Sequence, residues 1–260
     1  DADRTLEEQD GQAARAAVYL FALTGSATYN TYFVNNYDAI ESIGWGWWGA
    51  YDHADNGAAM FYTTVSGANA TVVNTIRNSR LAGANDTSMY AWNANDHLYR
   101  AYMWDDSFHW GHNNARATTG NINMEMINYN LNSANHATYR KRALELLHWF
   151  HGVNALGKVM LSNMYDFGAE NSVNEFYHSW FTSGTTWDNV NTGDGPAPGF
   201  LVGGPNASYS GGVSPPAGEP REKCYIDSND INKSWEVSEN GIYYQAAYTR
   251  LVAWFASNSN

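Results

Sequence analysis

Several residue types are scarce in this sequence, and each shortage excludes a class of structure or function. The one cysteine, Cys224, rules out an intramolecular disulfide framework. The 14 Lys and Arg residues stand against 26 Asp and Glu residues, for a net charge of −12. Because phosphate binding needs clustered cations, this balance argues against a nucleic-acid partner. No apolar stretch is long enough to cross a membrane, no signal peptide is present, and the chain begins at Asp1 as a processed or cut chain would.

Aromatic residues are abundant instead. They make up 15% of the chain and include 11 Trp and 18 Tyr, which is more than a core usually needs. Where aromatic rings lie in polar, glycine-rich surroundings, they favour exposed stacking surfaces. A common neutral ligand for such a surface is a sugar ring, so the composition points toward a neutral carbohydrate ligand.

Apolar residues recur at helical spacing through the first sixty per cent of the chain, and several of these patterns end at a glycine. They predict helices in paired αα-hairpins. The predicted segments are EEQDGQAARAAVYLFALTG, ATYNTYFVNNYDAIESIG, DNGAAMFYTTVSG, NATVVNTIRNSRLAG, Asp96 to Trp104, Ala115 to Asn130, Ala137 to Val153, and a last helix from about Glu239 to Ser257.

From Gly157 to Trp235 the helical periodicity disappears, and Gly, Pro, Asn, Ser and aromatic residues dominate. A loop of this length inside a compact domain is uncommon and is usually functional. We therefore treat residues 1–260 as one region with no internal domain boundary.

Five segments, taken in order, resemble the C-terminal half of the catalytic domain of glycoside hydrolase family 9, a cellulase family. The segments are WGHN, LHWFHGVNALGKVMLSNM, NEFYHSWF, GPAPGFLVGGPN and WEVSENGIYYQAAY. LVGGPN followed at this distance by a glutamate is the most specific of them. The sequence departs from the family at Ala155, where the family has proline, and after His178, where Ser179 and Trp180 replace a second histidine and an arginine.

The resemblance implies an all-α fold, the (α/α)6 toroid of helical hairpins, of which this chain would cover roughly the second half, with long irregular loops forming a cleft. It also implies a secreted, inverting endo-β-1,4-glucanase that acts on cellulose or a related β-glucan. The helical pattern described above is independent of the resemblance and agrees with it.

Glu239 matches the family's general acid, the residue that protonates the departing glycosidic oxygen. The ordinary interpretation is that a glutamate in the first turn of the last helix only complements the helix dipole. A proton donor needs apolar surroundings that oppose ionisation, and the aromatic neighbours Trp235, Tyr243 and Tyr244 would supply them. Glu236 is interpreted as a solvated or capping carboxylate.

Further candidates for substrate binding come from the same resemblance. His178 matches the histidine that grips the sugar at the cleavage site, although a structural loop histidine fits equally well. Tyr177, Trp180, Phe176 and Trp187 are candidates for packing on pyranose faces, and some of them belong to the core. Trp110 is a candidate for lining the cleft, and Tyr243 is a further candidate for substrate binding. Asp227 matches the aspartate thought to position the loop of the glutamate, and an Asp in such a cluster also favours a turn unaided. His112 is a weak candidate for facing the cleft.

The family's catalytic base is missing from the sequence. An inverting glycosidase needs two carboxyl groups about 6.5–9.5 Å apart, and the family's DAGD motif, which carries the base, does not occur here. Asp105 and Asp106 lack its glycine and its context, so Asp106 is a remote substitute. Three explanations stay open: the base lies on an upstream segment or a second chain of a longer enzyme, the protein is a divergent homologue that only binds glycan or has a structural role, or the sequence is incomplete. We favour the first. A different helical-toroid enzyme that acts on another polysaccharide is a weaker alternative.

No cofactor is expected for this chemistry. The resemblance implies a structural calcium near the first helix, where Asp10 matches one ligand, but Gly11 stands in place of the second acid. Because calcium takes six to eight oxygen ligands, a full site is doubtful. One cysteine and scattered histidines disfavour structural zinc.

Overall fold

The computed structural model describes residues 5–51, 53–92 and 97–256, and these residues are predominantly helical. Two short strands, β1 (Val159–Ser162) and β2 (Ser172–Val173), pair in parallel. The helices are α1 (Leu6–Thr24), α2 (Ala27–Asn36), α3 (Glu41–Gly44), α4 (His53–Tyr62), α5 (Ala70–Gly83), α6 (His112–Asn128), α7 (His136–Phe150), α8 (Ile231–Ser238) and α9 (Ile242–Ala256).

Most predicted helices are present because their end signals work as expected. Thr5 and Glu8 form a reciprocal capping box at the start of α1, and Gly25 ends it with φ 66°. The prediction of a helix from Asp96 to Trp104 is wrong, since residues 97–104 form turns, bends and irregular backbone, while Asp96 lies outside the described residues. The last helix begins at Ile242 rather than at Glu239, and α8 was not predicted.

Contacts divide the chain into two compact units. The first comprises residues 1–90 and 125–136. In this unit α1 packs against α2 and α4, and the ring centroids of Tyr62 and Phe33 are 4.1 Å apart. A fully buried ion pair joins Arg80 to Glu125, with 3.1 Å between Nη2 and Oε2. Since α6 runs from His112 to Asn128, its sequence contributes to both units.

The second unit comprises residues 91–124 and 137–260 and contains the segments of the family resemblance. As predicted, residues 157–230 are mostly irregular, apart from β1, β2 and short 3-10 turns. Isolated bridges join Leu161 to Leu201 within the irregular segment and Val202 to Asn240. The second bridge connects the irregular segment to the residues that precede α9. Within the described part of the chain, no helix is long and apolar enough to cross a membrane.

Candidate active site

Glu239 lies at the junction between α8 and α9. It is the C-cap residue of α8, with φ −61° and ψ 138°, and its amide still donates to the carbonyl of Trp235. The expectation that Glu239 occupies the first turn of the last helix is therefore wrong. The chain leaves α8 in an extended conformation here, which places a half-buried carboxylate between two helices.

Trp110 provides the hydrogen bond to this carboxylate. Its indole Nε1 donates to Oε2 of Glu239 at 3.0 Å. The same indole packs edge-on against the ring of Tyr244, with 6.0 Å between ring centroids. Burial, followed by the neighbouring Tyr243 hydroxyl and then the charge of Glu239, raises the pKa of Tyr244. Tyr244 thus stays neutral beside the carboxylate.

Glycines allow the segments around Glu239 to approach closely. Gly111, between Trp110 and α6, has φ +80°, and a Cβ there would lie 2.6 Å from the hydroxyl oxygen of Tyr244. Gly204 has φ +89°, and a Cβ there would lie 2.4 Å from Oδ1 of Asn113. These contacts explain glycine at both positions, since a side chain would be strained and would collide.

Backbone and amide hydrogen bonds tie WGHN to LVGGPN and to the end of α8. The amide of Asn113 donates to the carbonyl of Gly203, and its Nδ2 donates to the carbonyl of Val202, both at 2.8 Å. The amide of Gly204 in turn donates to the carbonyl of Val237 at 2.8 Å. Three segments far apart in sequence therefore fix the backbone on either side of Glu239. We call this set, Asn113, Val202, Gly203, Gly204 and Val237, the glutamate clamp.

An open groove of about 1240 Å³ begins at the residues that follow Glu239. Aromatic rings and aliphatic side chains form most of its wall, and Trp180, 75% exposed, is its most accessible ring. Sugar rings bind such surfaces through their apolar faces. The groove is lined by His178, Trp180, Phe181, Trp187, Ala197, Phe200, Asn240, Gly241, Ile242, Gln245, Ala246, Thr249, Arg250 and Ala253.

The other aromatic candidates lie close to Glu239 in sequence or through a contact. Tyr177 is half-buried, and its amide donates to Oγ of Ser238 at 3.2 Å. Its ring centroid lies 6.3 Å from that of the exposed His178. Tyr243 is partly exposed and meets Tyr244 edge-on at 4.4 Å. Of the predicted residues, Trp110 therefore contacts Glu239 itself, Tyr177 and Tyr243 are linked to its neighbours, and His178 and Trp180 line the groove.

Asp227 organises the neighbouring loops. Its Oδ2 accepts from Nζ of Lys158 at 2.8 Å and from the amide of Asn174 at 3.1 Å. Its Oδ1 accepts from the hydroxyl of Tyr225 at 2.8 Å. Both carboxylate oxygens are therefore engaged within the protein, and Asp227 anchors the loop that leads to Tyr177.

Sequence reasoning overlooked Glu175, which follows Asn174 in this loop. Burial, followed by the charges of Asp188 and Asp227, raises the pKa of this half-buried carboxyl, while hydrogen bonds from Asn189 and Asn229 oppose the rise. The only sequence signal was its place beside Tyr177 and His178 in NEFYHSWF.

The structure corrects two predictions near the site, one for a glutamate and one for a histidine, because both side chains are buried. Glu236 is 7% exposed rather than solvated, and it accepts from Asn206 and from the amide and hydroxyl of Ser210. His112 does not face the groove: it is fully buried, donating from Nδ1 to the carbonyl of Ser107 and accepting at Nε2 from Arg116. Burial and the charge of Arg116 hold the pKa of His112 well below its usual range. Both residues are structural.

The first helix offers a poor fit for calcium. Asp10 accepts from the hydroxyl of Tyr32 at 3.2 Å, and a Cβ at Gly11 would lie 2.7 Å from the carbonyl oxygen of Ala39. The second ligand position thus has no room for a carboxylate side chain. Within residues 5–51, 53–92 and 97–256, no three His, Cys, Asp or Glu side chains converge as metal ligands.

The sequence profile described as Glycosyl hydrolase family 9 matches residues 7–252. The chain belongs to this family. No match was found among curated protein sequences.

Solved structures of family 9 proteins resemble the chain throughout its length. The GH family 9 endoglucanase J30 has a TM-score of 0.70 and 21% identity, over 94% of this chain and 42% of that chain. The GH9 protein of Bacteroides ovatus gives 0.67 and 19%, over 94% and 39%. AaCel9A, solved with a cellobiose-like isofagomine, gives 0.64 and 21%, over 92% and 42%.

These likenesses confirm the predicted fold class, the all-α (α/α)6 type of the family 9 enzymes, and the predicted family. At this level of identity they establish the fold alone. The chain spans about two fifths of the length of each of these family 9 proteins.

Proposed function

We propose that this chain supplies the proton donor and part of the substrate groove of an inverting β-1,4-glucanase. The observation that carries the proposal is the half-buried Glu239 carboxylate, which is hydrogen-bonded to Trp110 and directly precedes Asn240 and Gly241 in the lining of the aromatic groove. Family membership supports glycoside hydrolysis as the general activity. Cellulose or a related β-glucan is the substrate class that we infer, and action on a polymer of this kind implies secretion.

Glu239 acts in this proposal as a general acid. It transfers its proton to the glycosidic oxygen while the bond between that oxygen and the anomeric carbon breaks. A water molecule attacks the opposite face of the sugar and gives its proton to a carboxylate base. Trp180, Trp187 and Phe200 would pack on successive pyranose rings, and the imidazole of His178 would bind a sugar hydroxyl.

The base would come from another part of the assembly. The sequence contains no DAGD motif, and the chain covers 42% of the length of the endoglucanase J30. We therefore infer that an upstream segment or a second chain contributes the base together with further helices. Asp106 is a poor substitute, because it is exposed in a 3-10 turn whose other acid, Asp105, pairs with Arg221.

The proposed reaction requires no cofactor. A calcium ion at Asp10 stays a prediction of the family resemblance, and the crowding at Gly11 argues against it.

A non-catalytic glycan-binding or structural role is the second candidate, and the missing base favours it. Release of reducing sugar from carboxymethylcellulose separates the two, measured on this chain alone and on a product that includes any upstream sequence. Glu239→Gln should abolish hydrolysis but keep glucan binding, because the amide has the same shape as the carboxyl group and has no acidic proton to transfer to the glycosidic oxygen. Hydrolysis that survives Glu239→Gln would exclude Glu239 as the acid, whereas binding without hydrolysis in every form would support the second candidate.

A further inference from the structure

The two oxygens of the Glu239 carboxylate have different surroundings. Oε2 accepts the indole N–H of Trp110 at 3.0 Å. Among the residues that the structure describes, Oε1 has no hydrogen-bond partner. This asymmetry bears on which oxygen carries the proton of a protonated Glu239.

Trp110 is fixed from three sides. Tyr244 packs edge-on against its ring, with an interplanar angle of 64°. The carbonyl of Trp110 accepts from Nδ1 of His109 at 2.6 Å. Gly111, the next residue, has a positive φ and lies against Tyr244, and Asn113 is itself part of the glutamate clamp. The direction of the indole N–H is therefore set before any ligand binds.

We propose that Trp110 is a positioning residue that selects Oε1 of Glu239 as the proton-donating atom. An indole N–H can only donate, so the oxygen that faces it must accept. In a protonated carboxyl the carbonyl oxygen is a stronger acceptor than the hydroxyl oxygen, so the indole N–H favours the carbonyl at Oε2 and the proton at Oε1. The inference rests on the proposed role of Glu239 as the acid.

Both protonation states of Glu239 are compatible with this contact. When the Oε1–H bond breaks, the proton passes to the glycosidic oxygen and the electron pair stays on the carboxylate. The hydrogen bond from the Trp110 N–H to Oε2 then becomes charge-assisted. A bond of this kind is shorter and stronger than a neutral hydrogen bond. Trp110 thus orients the acid before the transfer and stabilises the carboxylate that the transfer creates.

Indole N–H resonances of the chain, labelled with 15N-tryptophan, test this contact directly. Trp110→Phe identifies the resonance by its loss. In the wild type, the Trp110 resonance should move downfield as pH rises and Glu239 ionises. In Glu239→Gln, whose side-chain carbonyl still accepts the N–H, the resonance should lose this pH response, while the other indole resonances keep theirs.

Other titrating groups near Trp110 need a control. The imidazole of His109 is hydrogen-bonded to its carbonyl, Tyr244 packs against its ring, and Tyr243 contacts Tyr244. His109→Gln and Tyr243→Phe should each leave the acidic-range response in place, and the raised pKa of Tyr244 keeps that hydroxyl neutral there. An identical pH response in wild type and Glu239→Gln would overturn the positioning role.

Hydrolysis is not needed for this measurement, so the two proposals fail separately. A chain that shows the Glu239-dependent response but never hydrolyses glucan, even with an upstream segment, keeps the contact and loses the proposed function. A chain that hydrolyses glucan without the response keeps the function and loses the positioning role.

Discussion

The glutamate clamp makes a sharp stability prediction, because two glycines share the same backbone angle but differ in their surroundings. Gly199 and Gly204 both have φ +89°, but a Cβ would meet nothing within 4 Å at Gly199 and would lie 2.4 Å from Oδ1 of Asn113 at Gly204. Gly199→Ala therefore measures backbone strain alone, and Gly204→Ala measures strain plus collision.

The magnitudes follow from these two contributions. An alanine forced to positive φ costs roughly 1–2 kcal/mol. At Gly204 the Asn113 side chain must also move, which breaks its buried hydrogen bond to the carbonyl of Val202 and costs about 1–3 kcal/mol more. We expect Gly199→Ala to lower the free energy of unfolding by roughly 1–2 kcal/mol and Gly204→Ala by about 2–5 kcal/mol.

Urea unfolding followed by tryptophan fluorescence measures both losses, and a shift of the midpoint at unchanged slope reports stability. The double variant Asn113→Ala, Gly204→Ala tests the cause, because removing the side chain that collides should make its loss smaller than the sum of the single losses. Equal losses at Gly199 and Gly204, or strict additivity in the double variant, would refute the collision.

Three further predictions concern the groove, a buried ion pair and a buried histidine. Trp180→Ala should weaken binding of cello-oligosaccharides by roughly 1 kcal/mol, measured by calorimetry. Trp45, which is similarly exposed in the first unit, provides the control, and Trp45→Ala should leave binding unchanged. Equal effects of the two substitutions would contradict the role of the groove in binding. Glu125→Gln should cost about 3–5 kcal/mol in urea unfolding because it leaves the guanidinium of Arg80 buried beside a neutral partner; a loss under 1 kcal/mol would contradict this. The depressed pKa of His112 means that the unfolded chain binds this proton more readily, so stability should fall as pH drops below about 6.5, and His112→Asn should reduce that slope.

Helices were predictable where the end signals are local. The capping box at Thr5 and Glu8 and the glycine at Gly25 depend on a few neighbouring residues, and the structure follows them. The Asp96 to Trp104 prediction failed because its apolar positions are used differently: Ala101 and Met103 are buried in an irregular segment, and the carbonyl of Ala101 accepts from Arg116. That partner lies outside the window in which periodicity is read.

The family resemblance singled out Glu239 and Trp110 as candidate site residues, but the hydrogen bond between them could not be predicted for residues 129 positions apart. The start of the last helix was set too early because Glu239 belongs to the end of α8, a short helix whose cap, Asp230, lies in a cluster that also favours turns. The burial of Glu236 was missed for a similar reason. Its partners, Asn206 and Ser210, come from the irregular segment, where no periodicity predicts contacts.

The glutamate clamp also sets the order in which the site can form during synthesis. Helix α6 can fold as soon as its residues emerge, but Nδ2 of Asn113 must wait for an acceptor 89 residues later in the chain. Closing a loop of that length costs about 4 kcal/mol in chain entropy, and the clamp is complete only when Val237 has emerged. A translation product that stops before α8 would lack Glu239, so the contact between Trp110 and this carboxylate can form only after the chain has been made as far as the end of α8.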